Sequence, residues 1–204
     1  MFKIAVLVSG GGTNLQEIID NIENKRLNCS IEYIIADRDC YSIERGKKNN
    51  INTILLDRKK YGNKLSHKIN DLIFGNVDLV VLAGYLSIID EEFINKWNNK
   101  IINIHPSLLP KYGGKGMYGI KVHESVVANH EKESGCTVHF VDNNIDTGKI
   151  ILQRKVDITD DDTPESLQKK VLKEEHKLLI EAIEMIINEN NWFFIIELNR
   201  MEGC

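Results

Sequence analysis

The 204-residue sequence is 42% hydrophobic and 27% charged, an ordinary composition for a globular protein with a full core and one domain. Its formal net charge of −4 argues against a broad nucleic-acid-binding surface, so we expect no nucleic-acid partner. The cysteines form no C-x-x-C pair and the histidines lack ligand spacing, so we expect reduced thiols and no metal. No apolar run has the length of a secretory signal or a membrane span, which predicts a cytoplasmic protein without a membrane partner.

Buried strands alternate with amphipathic helices over the first hundred residues. The predicted strands are residues 3–8, 31–36, 51–56, 77–83 and 101–105. The predicted helices are residues 13–23, 41–49, 60–74 and 91–97. This alternation predicts an α/β fold with right-handed crossovers and a mostly parallel sheet.

The chain changes style after residue 110. Residues 111–119 are rich in Gly, Lys and Tyr and are predicted to form a mobile surface loop, before a helix at 122–130. Strands at 136–142 and 150–156 are expected to pair antiparallel. A long helix should run from 164 to about 188, and residues 192–198 read as a final edge strand.

A glycine loop, residues 9–14, lies between the first predicted strand and the first helix. Glycines let the backbone approach a ligand, and a helix N-terminus offers unpaired N–H groups, so the loop predicts a phosphate site. The alternative is a turn that only starts the helix. The loop lacks the Gly-Lys-Ser/Thr of a Walker A motif, and Leu15 occupies the third glycine position of a dinucleotide fingerprint. Asp37, at the end of the second strand, keeps a nicotinamide cofactor as a weaker alternative.

The strand at 101–105 carries the candidate catalytic pair. Side chains alternate along a strand, so Asn103 and His105 share a face, and Pro106 ends the strand. An amide donor beside a titratable imidazole can bind a developing oxyanion and deliver a proton to it. The alternative is a core histidine satisfied by the backbone.

A carboxylate near His105 would orient the imidazole and favour its charged form. Asp142 and Asp146 both follow the strand at 136–142 and are candidates, although both could be ordinary turn formers. Their spacing does not choose between them.

Three motifs together resemble the folate-dependent formyltransferase family. They are Val-Ser-Gly-Gly-Gly-Thr-Asn-Leu at 8–15, Asn-Ile-His-Pro-Ser-Leu-Leu-Pro at 103–110, and Thr-Val-His-Phe-Val with Asp-Thr-Gly-Lys-Ile-Ile at 137–151. The resemblance covers residues 1 to about 190. It implies a Rossmann-like formyltransferase fold, with helices on both faces of the sheet and an antiparallel C-terminal addition. It also implies one domain over 1–204, with a phosphate-binding half to about 100 and a catalytic, folate-binding half at about 100–190.

The resemblance implies direct formyl transfer from 10-formyltetrahydrofolate, the co-substrate, to the amine of glycinamide ribonucleotide. It implies that His105 is the proton donor, Asn103 the oxyanion partner and Asp146 the residue that supports His105. It implies a glycinamide ribonucleotide site formed by Gly11, Gly12, Thr13, Asn14, Pro106 and Glu175. It implies a folate site formed by Arg58, Leu86, Ser87, Ile88, Ile89, Asn103 and Asp142. Ser87 stands where the family often has Arg, and the loop at 111–119 is longer than in many relatives.

Other functions stay open at this point. Methionyl-tRNA formyltransferases carry an extra C-terminal domain and a basic surface, which this length and charge do not match. Formyltetrahydrofolate hydrolases normally carry an N-terminal regulatory domain, whereas the first strand here begins at residue 3. A hydrolase-like enzyme is one alternative, and a non-catalytic Rossmann-like nucleotide-binding regulatory protein is another. For the assembly we expect a monomer or a weak homodimer.

Overall fold

The computed structural model describes residues 1–201, with side chains through residue 189. Its strands are β1 Phe2–Val8, β2 Cys29–Ala36, β3 Thr53–Leu55, β4 Leu79–Leu82, β5 Ile101–His105, β6 Glu133–Phe140 and β7 Ile150–Asp157. Its helices are α1 Thr13–Glu23, α2 Tyr41–Lys48, α3 Arg58–Tyr61, α4 Leu65–Ile73, α5 Glu91–Lys96, α6 Ile120–Ala128 and α7 Pro164–Met201. None of the helices described is both long and apolar enough to cross a bilayer.

The strands form one sheet in the order β3-β2-β1-β4-β5-β6-β7. The pairs from β3 to β5 are parallel, whereas β5–β6 and β6–β7 are antiparallel. This confirms the predicted α/β, Rossmann-like fold with its antiparallel C-terminal addition, and the antiparallel pairing of the last two strands.

Helices cover both faces of the sheet, which explains why β1 is apolar and buried from Ile4 to Val8. Ile4, Val6 and Val8 pack into a core with α1 and α7, while Ala5 and Leu7 pack into a second core with α4 and α5. Alternate side chains of one strand thus enter opposite cores. Each fully buried aliphatic side chain contributes about 1.5–3 kcal/mol of transfer free energy.

Two predicted elements differ from the structure. The helix predicted at 60–74 is divided into α3, a 3₁₀ turn at Gly62–Lys64 and α4, because Gly62 has a positive φ of 51° that interrupts the helix. The edge strand predicted at 192–198 is wrong, since α7 continues to Met201. Extending a formed helix adds one hydrogen bond for each residue ordered, whereas an edge strand must find a pairing partner.

The strand order reverses between β1 and β4, and open α/β sheets hold ligands outside the carboxyl ends of strands at such a point. Leu7 pairs with Leu82, and Leu82 pairs with Asn103. Ser9 and His105, each two residues further on, therefore lie at the same level of the sheet, about 10 Å apart across two strand spacings. The glycine loop and the Asn103–His105 pair thus share one edge.

Candidate active site

The glycine loop ends in a left-handed residue that starts α1. Gly12 has a φ of 70°, and a Cβ there would stand 2.5 Å from Ser42 Oγ, so the position needs glycine. The loop carbonyls face α2, where Ser42 Oγ donates to Gly10 O at 2.7 Å and Arg45 Nε donates to Gly11 O at 2.8 Å. No side chain caps α1, so its first N–H groups are available to an anion.

Glu175 of α7 lies against the glycine loop rather than in solvent. Asn14 Nδ2 donates to Glu175 Oε2 at 3.0 Å, and the carboxyl is 8% exposed. Burial raises the pKa of Glu175 to about 7, although the hydrogen bond from Asn14 opposes the shift. Asn14 Oδ1 is buried without a hydrogen-bond partner among the described residues. The loop therefore ends beside polar groups with unused hydrogen-bonding capacity.

Four side chains from β5, β6 and the β6–β7 turn converge at the same edge of the sheet as the glycine loop. Asn103 pairs with His139 across the antiparallel strands, and Asn103 Nδ2 lies 3.1 Å from His139 Nε2. Asp146 Oδ2 lies 3.6 Å from His105 Nδ1, and its Oδ1 lies 3.8 Å from His139 Nε2. We call these four residues the catalytic cluster.

His139 orients the amide of Asn103. His139 Nδ1 lies 2.8 Å from the Phe140 carbonyl, which can only accept, so Nδ1 carries the proton and Nε2 accepts from Asn103. Burial lowers the pKa of His139, which keeps the ring neutral and able to accept. The second N–H of the Asn103 amide then remains for a ligand.

Asp146, and not Asp142, lies against His105. Asp146 has a positive φ of 59°, which Asp tolerates, and its Oδ2 also accepts the Gly114 N–H at 2.9 Å. Asp142 instead forms the turn itself, since its Oδ1 accepts from Asn144 N at 3.1 Å and from Thr147 Oγ1 at 2.7 Å. A Cβ at Gly148 would stand 1.7 Å from Phe140 O, so glycine lets this turn return against β6.

The tautomer of His105 follows from its neighbour on the other side. His105 is 4% exposed, and its Nε2 lies 2.9 Å from the Tyr112 carbonyl. Because a carbonyl only accepts, Nε2 carries a proton and Nδ1 is the nitrogen that faces Asp146. This places the exchangeable position of the ring at Nδ1. Backbone contact with His105, which the alternative of a core histidine anticipated, is thus present at one nitrogen only.

The loop at 84–89 follows β4 and reaches the switch point of the sheet. Leu86 N donates to Ser9 Oγ at 2.8 Å, and the Ser87 hydroxyl donates to Asp37. Leu86 and Ile88 are 43% and 74% exposed, whereas Ile89 is buried. The loop therefore presents apolar side chains beside the glycine loop, and its position is fixed by the hydrogen bonds to Ser9 and Asp37.

Two other predicted binding residues lie at different distances from the catalytic cluster. Pro106 directly follows His105 at the end of β5, beside the catalytic cluster. Arg58 is exposed at the start of α3, where its N–H donates to the Asp37 carbonyl at 2.8 Å. Its strand, β3, lies four positions from β5 in the sheet, so the structure does not bring Arg58 to the catalytic cluster.

Asp37 is not available to a nicotinamide ribose. Its side chain is fully buried and accepts from Arg38 Nε at 2.8 Å and Arg38 Nη2 at 2.7 Å, besides Ser87. Burial opposes ionisation, but these hydrogen bonds outweigh it and hold the pKa of Asp37 below its ordinary value. Asp37, which kept the nicotinamide alternative open, therefore already accepts hydrogen bonds from groups of the protein itself.

Sequence reasoning missed His139. Thr137 and His139 alternate with Cys136, Val138 and Phe140 along the predicted strand, and this polar face was the available signal. This pattern does not indicate which residues the polar face contacts. The β5–β6 pairing determines that, because it places His139 opposite Asn103. Within the described residues no group of three His, Cys, Asp or Glu side chains is placed to hold a metal ion.

An uncapped glycine loop and an amide–imidazole–carboxylate cluster on one edge of a Rossmann-like sheet are an arrangement suited to an α/β enzyme that transfers a group to or from an anionic substrate. The chain belongs to the formyl transferase family, whose model matches residues 2–183. This confirms the resemblance that the three motifs indicated.

Individual relatives agree with the family. The chain is 40% identical over 192 residues to a chloroplastic phosphoribosylglycinamide formyltransferase from Arabidopsis thaliana, covering 92% of this chain and 66% of the plant protein. It is 39% identical over 182 residues to phosphoribosylglycinamide formyltransferase from Haemophilus influenzae, covering 87% and 84%. The crystal structure of glycinamide ribonucleotide transformylase 1 from Symbiobacterium toebii superposes with a TM-score of 0.86 at 35% identity, covering 93% and 89%. The chain thus spans just under two thirds of the plant relative.

Proposed function

We propose that this protein transfers the formyl group of 10-formyltetrahydrofolate to the amine of glycinamide ribonucleotide, a step of purine biosynthesis. The observation that carries the proposal is the convergence of Asn103, His105 and Asp146 at the same edge of the sheet as the glycine loop. The names of the relatives support the same reaction.

The glycine loop is suited to the phosphate of glycinamide ribonucleotide. The N–H groups of Gly12, Thr13 and Asn14 start α1 without a side-chain cap, and the helix dipole favours an anion there. The unpartnered Asn14 Oδ1 and the Glu175 carboxyl suit ribose hydroxyls. This arrangement directs the substrate amine along the edge of the sheet, past Gly11 and Pro106, toward His105.

The chemistry divides among the residues of the catalytic cluster. The substrate amine attacks the formyl carbon and forms the new C–N bond, while the carbonyl oxygen becomes an oxyanion. The free N–H of Asn103 and the Nδ1–H of protonated His105 stabilise that oxyanion, and one such donor is worth roughly 3–4 kcal/mol of barrier. Asp146 takes the proton that the attacking amine releases. His105 returns a proton to the departing folate nitrogen as the old C–N bond breaks.

The 84–89 loop is suited to the folate. Leu86 and Ile88 offer exposed apolar contact to a pterin ring, and the remaining backbone polar groups of the loop, which is fixed by the Leu86–Ser9 and Ser87–Asp37 hydrogen bonds, can bond the polar edge of the ring. Ser87 replaces the family's frequent arginine and is committed to Asp37, so we assign it no direct folate contact. Asp142 lies in the turn beside the cluster, and Arg58, exposed at the start of α3, is the residue that we assign to the anionic folate tail.

An assay with and without glycinamide ribonucleotide tests the proposal. The purified protein should deformylate 10-formyltetrahydrofolate only when the amine substrate is present, with one formylated product for each folate released. Formate released at the same rate without the amine would favour the hydrolase. Thermal stabilisation by a nicotinamide nucleotide, with none by a folate analogue, would favour the regulatory protein.

A further inference from the structure

The backbone of Tyr112 holds an uncommon conformation where it meets His105. Tyr112 has a positive φ of 56°, in the left-handed region that an aromatic residue seldom adopts. In this conformation its carbonyl lies 2.9 Å from His105 Nε2. Because a left-handed backbone costs free energy in a residue with a Cβ, other contacts must hold it.

The side chain of Tyr112 supplies those contacts. Its hydroxyl donates to Glu131 Oε1 at 2.9 Å, and Lys111 Nζ lies 3.0 Å from the same carboxylate oxygen. Glu131 precedes β6, the strand that pairs with β5 and carries His139. The 111–112 turn is thus tied to the sheet on which the catalytic cluster is built.

We propose that Tyr112 is a positioning residue for His105, and that Glu131 acts through the Tyr112 hydroxyl to keep the carbonyl against Nε2. This contact holds the proton on Nε2 and leaves Nδ1 to exchange protons with Asp146 and the substrate. The proposal rests on the proposed function for its kinetic consequences, although the tautomer of His105 is a property of the protein alone.

The other ionisable groups around His105 do not compete for this role. His139 on β6 and His123 on α6 both interact electrostatically with His105. Burial lowers the pKa of both, that of His123 to about 4, so both rings are neutral near pH 7. The Asp146 carboxyl is therefore the group that faces Nδ1, and the Tyr112 carbonyl is the acceptor at Nε2.

Nitrogen-15 NMR of histidine-labelled protein tests the contact directly. At a pH where His105 is neutral, the wild type should show the tautomer protonated at Nε2. Tyr112→Phe and Glu131→Ala each remove the anchoring hydrogen bond and should shift His105 toward a mixture of tautomers. Glu131→Gln should restore the wild-type signal, because its amide oxygen still accepts from the Tyr112 hydroxyl.

Kinetics of the same variants test the consequence. Tyr112→Phe and Glu131→Ala should each lower kcat about threefold to tenfold with KM for both substrates unchanged, the size expected from the net contribution of one ordinary hydrogen bond. The double variant should be no slower than either single variant, since both remove the same bond. Lys111→Met is the matched control. It removes the cation beside Glu131 but keeps the phenol bond, so kcat should stay within twofold.

The outcomes are separable. A wild-type His105 protonated at Nδ1 overturns the proposal, and so does an unchanged tautomer in both Tyr112→Phe and Glu131→Ala. Additive losses of kcat in the double variant also overturn it. If the wild type transfers no formyl group, the proposed function fails while the tautomer measurement still tests the Tyr112–His105 contact.

Discussion

The two ends of the candidate site are built in different ways. The glycine-loop end is a single turn of chain between β1 and α1, and it offers backbone N–H groups that do not titrate. The catalytic end gathers side chains from β5, β6 and the turn after β6, and three of its four members are of ionisable residue types. Under the proposed function, binding and chemistry therefore depend on separate structural features. Substitutions at the first end should therefore change KM, and substitutions at the second should change kcat.

The largest expected effect lies at the catalytic end. His105→Ala and Asp146→Asn should each lower kcat about 100-fold to 1000-fold, because each removes a group that stabilises the transition state or moves its proton. KM for glycinamide ribonucleotide should change less than about threefold, since the phosphate grip is untouched. Steady-state kinetics with both substrates measures the split. A variant with near-normal kcat would remove the assigned role from that residue.

The same contrast explains what the sequence could predict. The glycine loop is local, so its residues and its position before a helix are visible in the chain, and the shared face of Asn103 and His105 follows from the strand period. The choice of Asp146 over Asp142 depends on a left-handed backbone in the turn. The role of His139 depends on a long-range antiparallel register. Glu175 looks like a solvated helix residue until α7 packs against α1.

Glu175 is an exception to this difference between the two ends, because it is a titrating side chain at the glycine-loop end. Its pKa of about 7 in the folded protein exceeds the ordinary value of 4.5, so the folded state holds a proton that the unfolded chain has already released. The stability this provides is complete below pH 4.5 and is lost as pH rises through 7. The free energy of unfolding of Glu175→Gln, relative to wild type, should therefore rise by about 2.5 kcal/mol between pH 5 and 8.

The neighbouring carboxylate is the control for that measurement. Glu174 lies next along α7, and its hydrogen bond from Lys177 lowers its pKa, with Arg154 contributing, although burial opposes the shift. The stability that Glu174 provides is present above its unfolded pKa and lost as pH falls, which is the opposite sign. Urea unfolding of Glu175→Gln and Glu174→Gln at pH 5 and 8 should thus show a rise in unfolding free energy relative to wild type for Glu175→Gln only. Parallel behaviour of the two variants would show that Glu175 is not held protonated.

A substitution at Gly12 tests whether backbone geometry alone forms the proposed phosphate site. Gly12→Ala places a Cβ 2.5 Å from Ser42 Oγ and puts a side chain at a φ of 70°. The left-handed conformation alone costs about 1–2 kcal/mol, so KM for glycinamide ribonucleotide should rise at least about tenfold while kcat at saturation changes little. Gly10→Ala is the control, because nothing lies within 4 Å of its added Cβ. Equal KM values for the two variants would contradict the assignment.

The smallest effect separates loop geometry from net charge. Arg45 donates to the Gly11 carbonyl at 2.8 Å and to Gln16 Oε1 at 2.9 Å, so it holds the loop from outside. Lys48 lies over the same Tyr41 ring as Arg45, at 5.8 Å against 5.0 Å from its centroid, and no hydrogen bond joins Lys48 to the loop among the described contacts.

Arg45→Met should raise KM for glycinamide ribonucleotide about threefold to fivefold, as expected from losing hydrogen bonds at a partly exposed position, and Lys48→Met should leave it unchanged. Arg45→Lys should fall between, because an ammonium keeps the charge but not the fork that reaches two acceptors. Initial rates across ionic strength sharpen the test, since a loss from geometry persists at high salt whereas a loss from the field of the cation is screened. If both methionine variants raise KM equally, the cations near Tyr41 act through their field, and the glycine-loop end depends on side-chain charge as the catalytic end does.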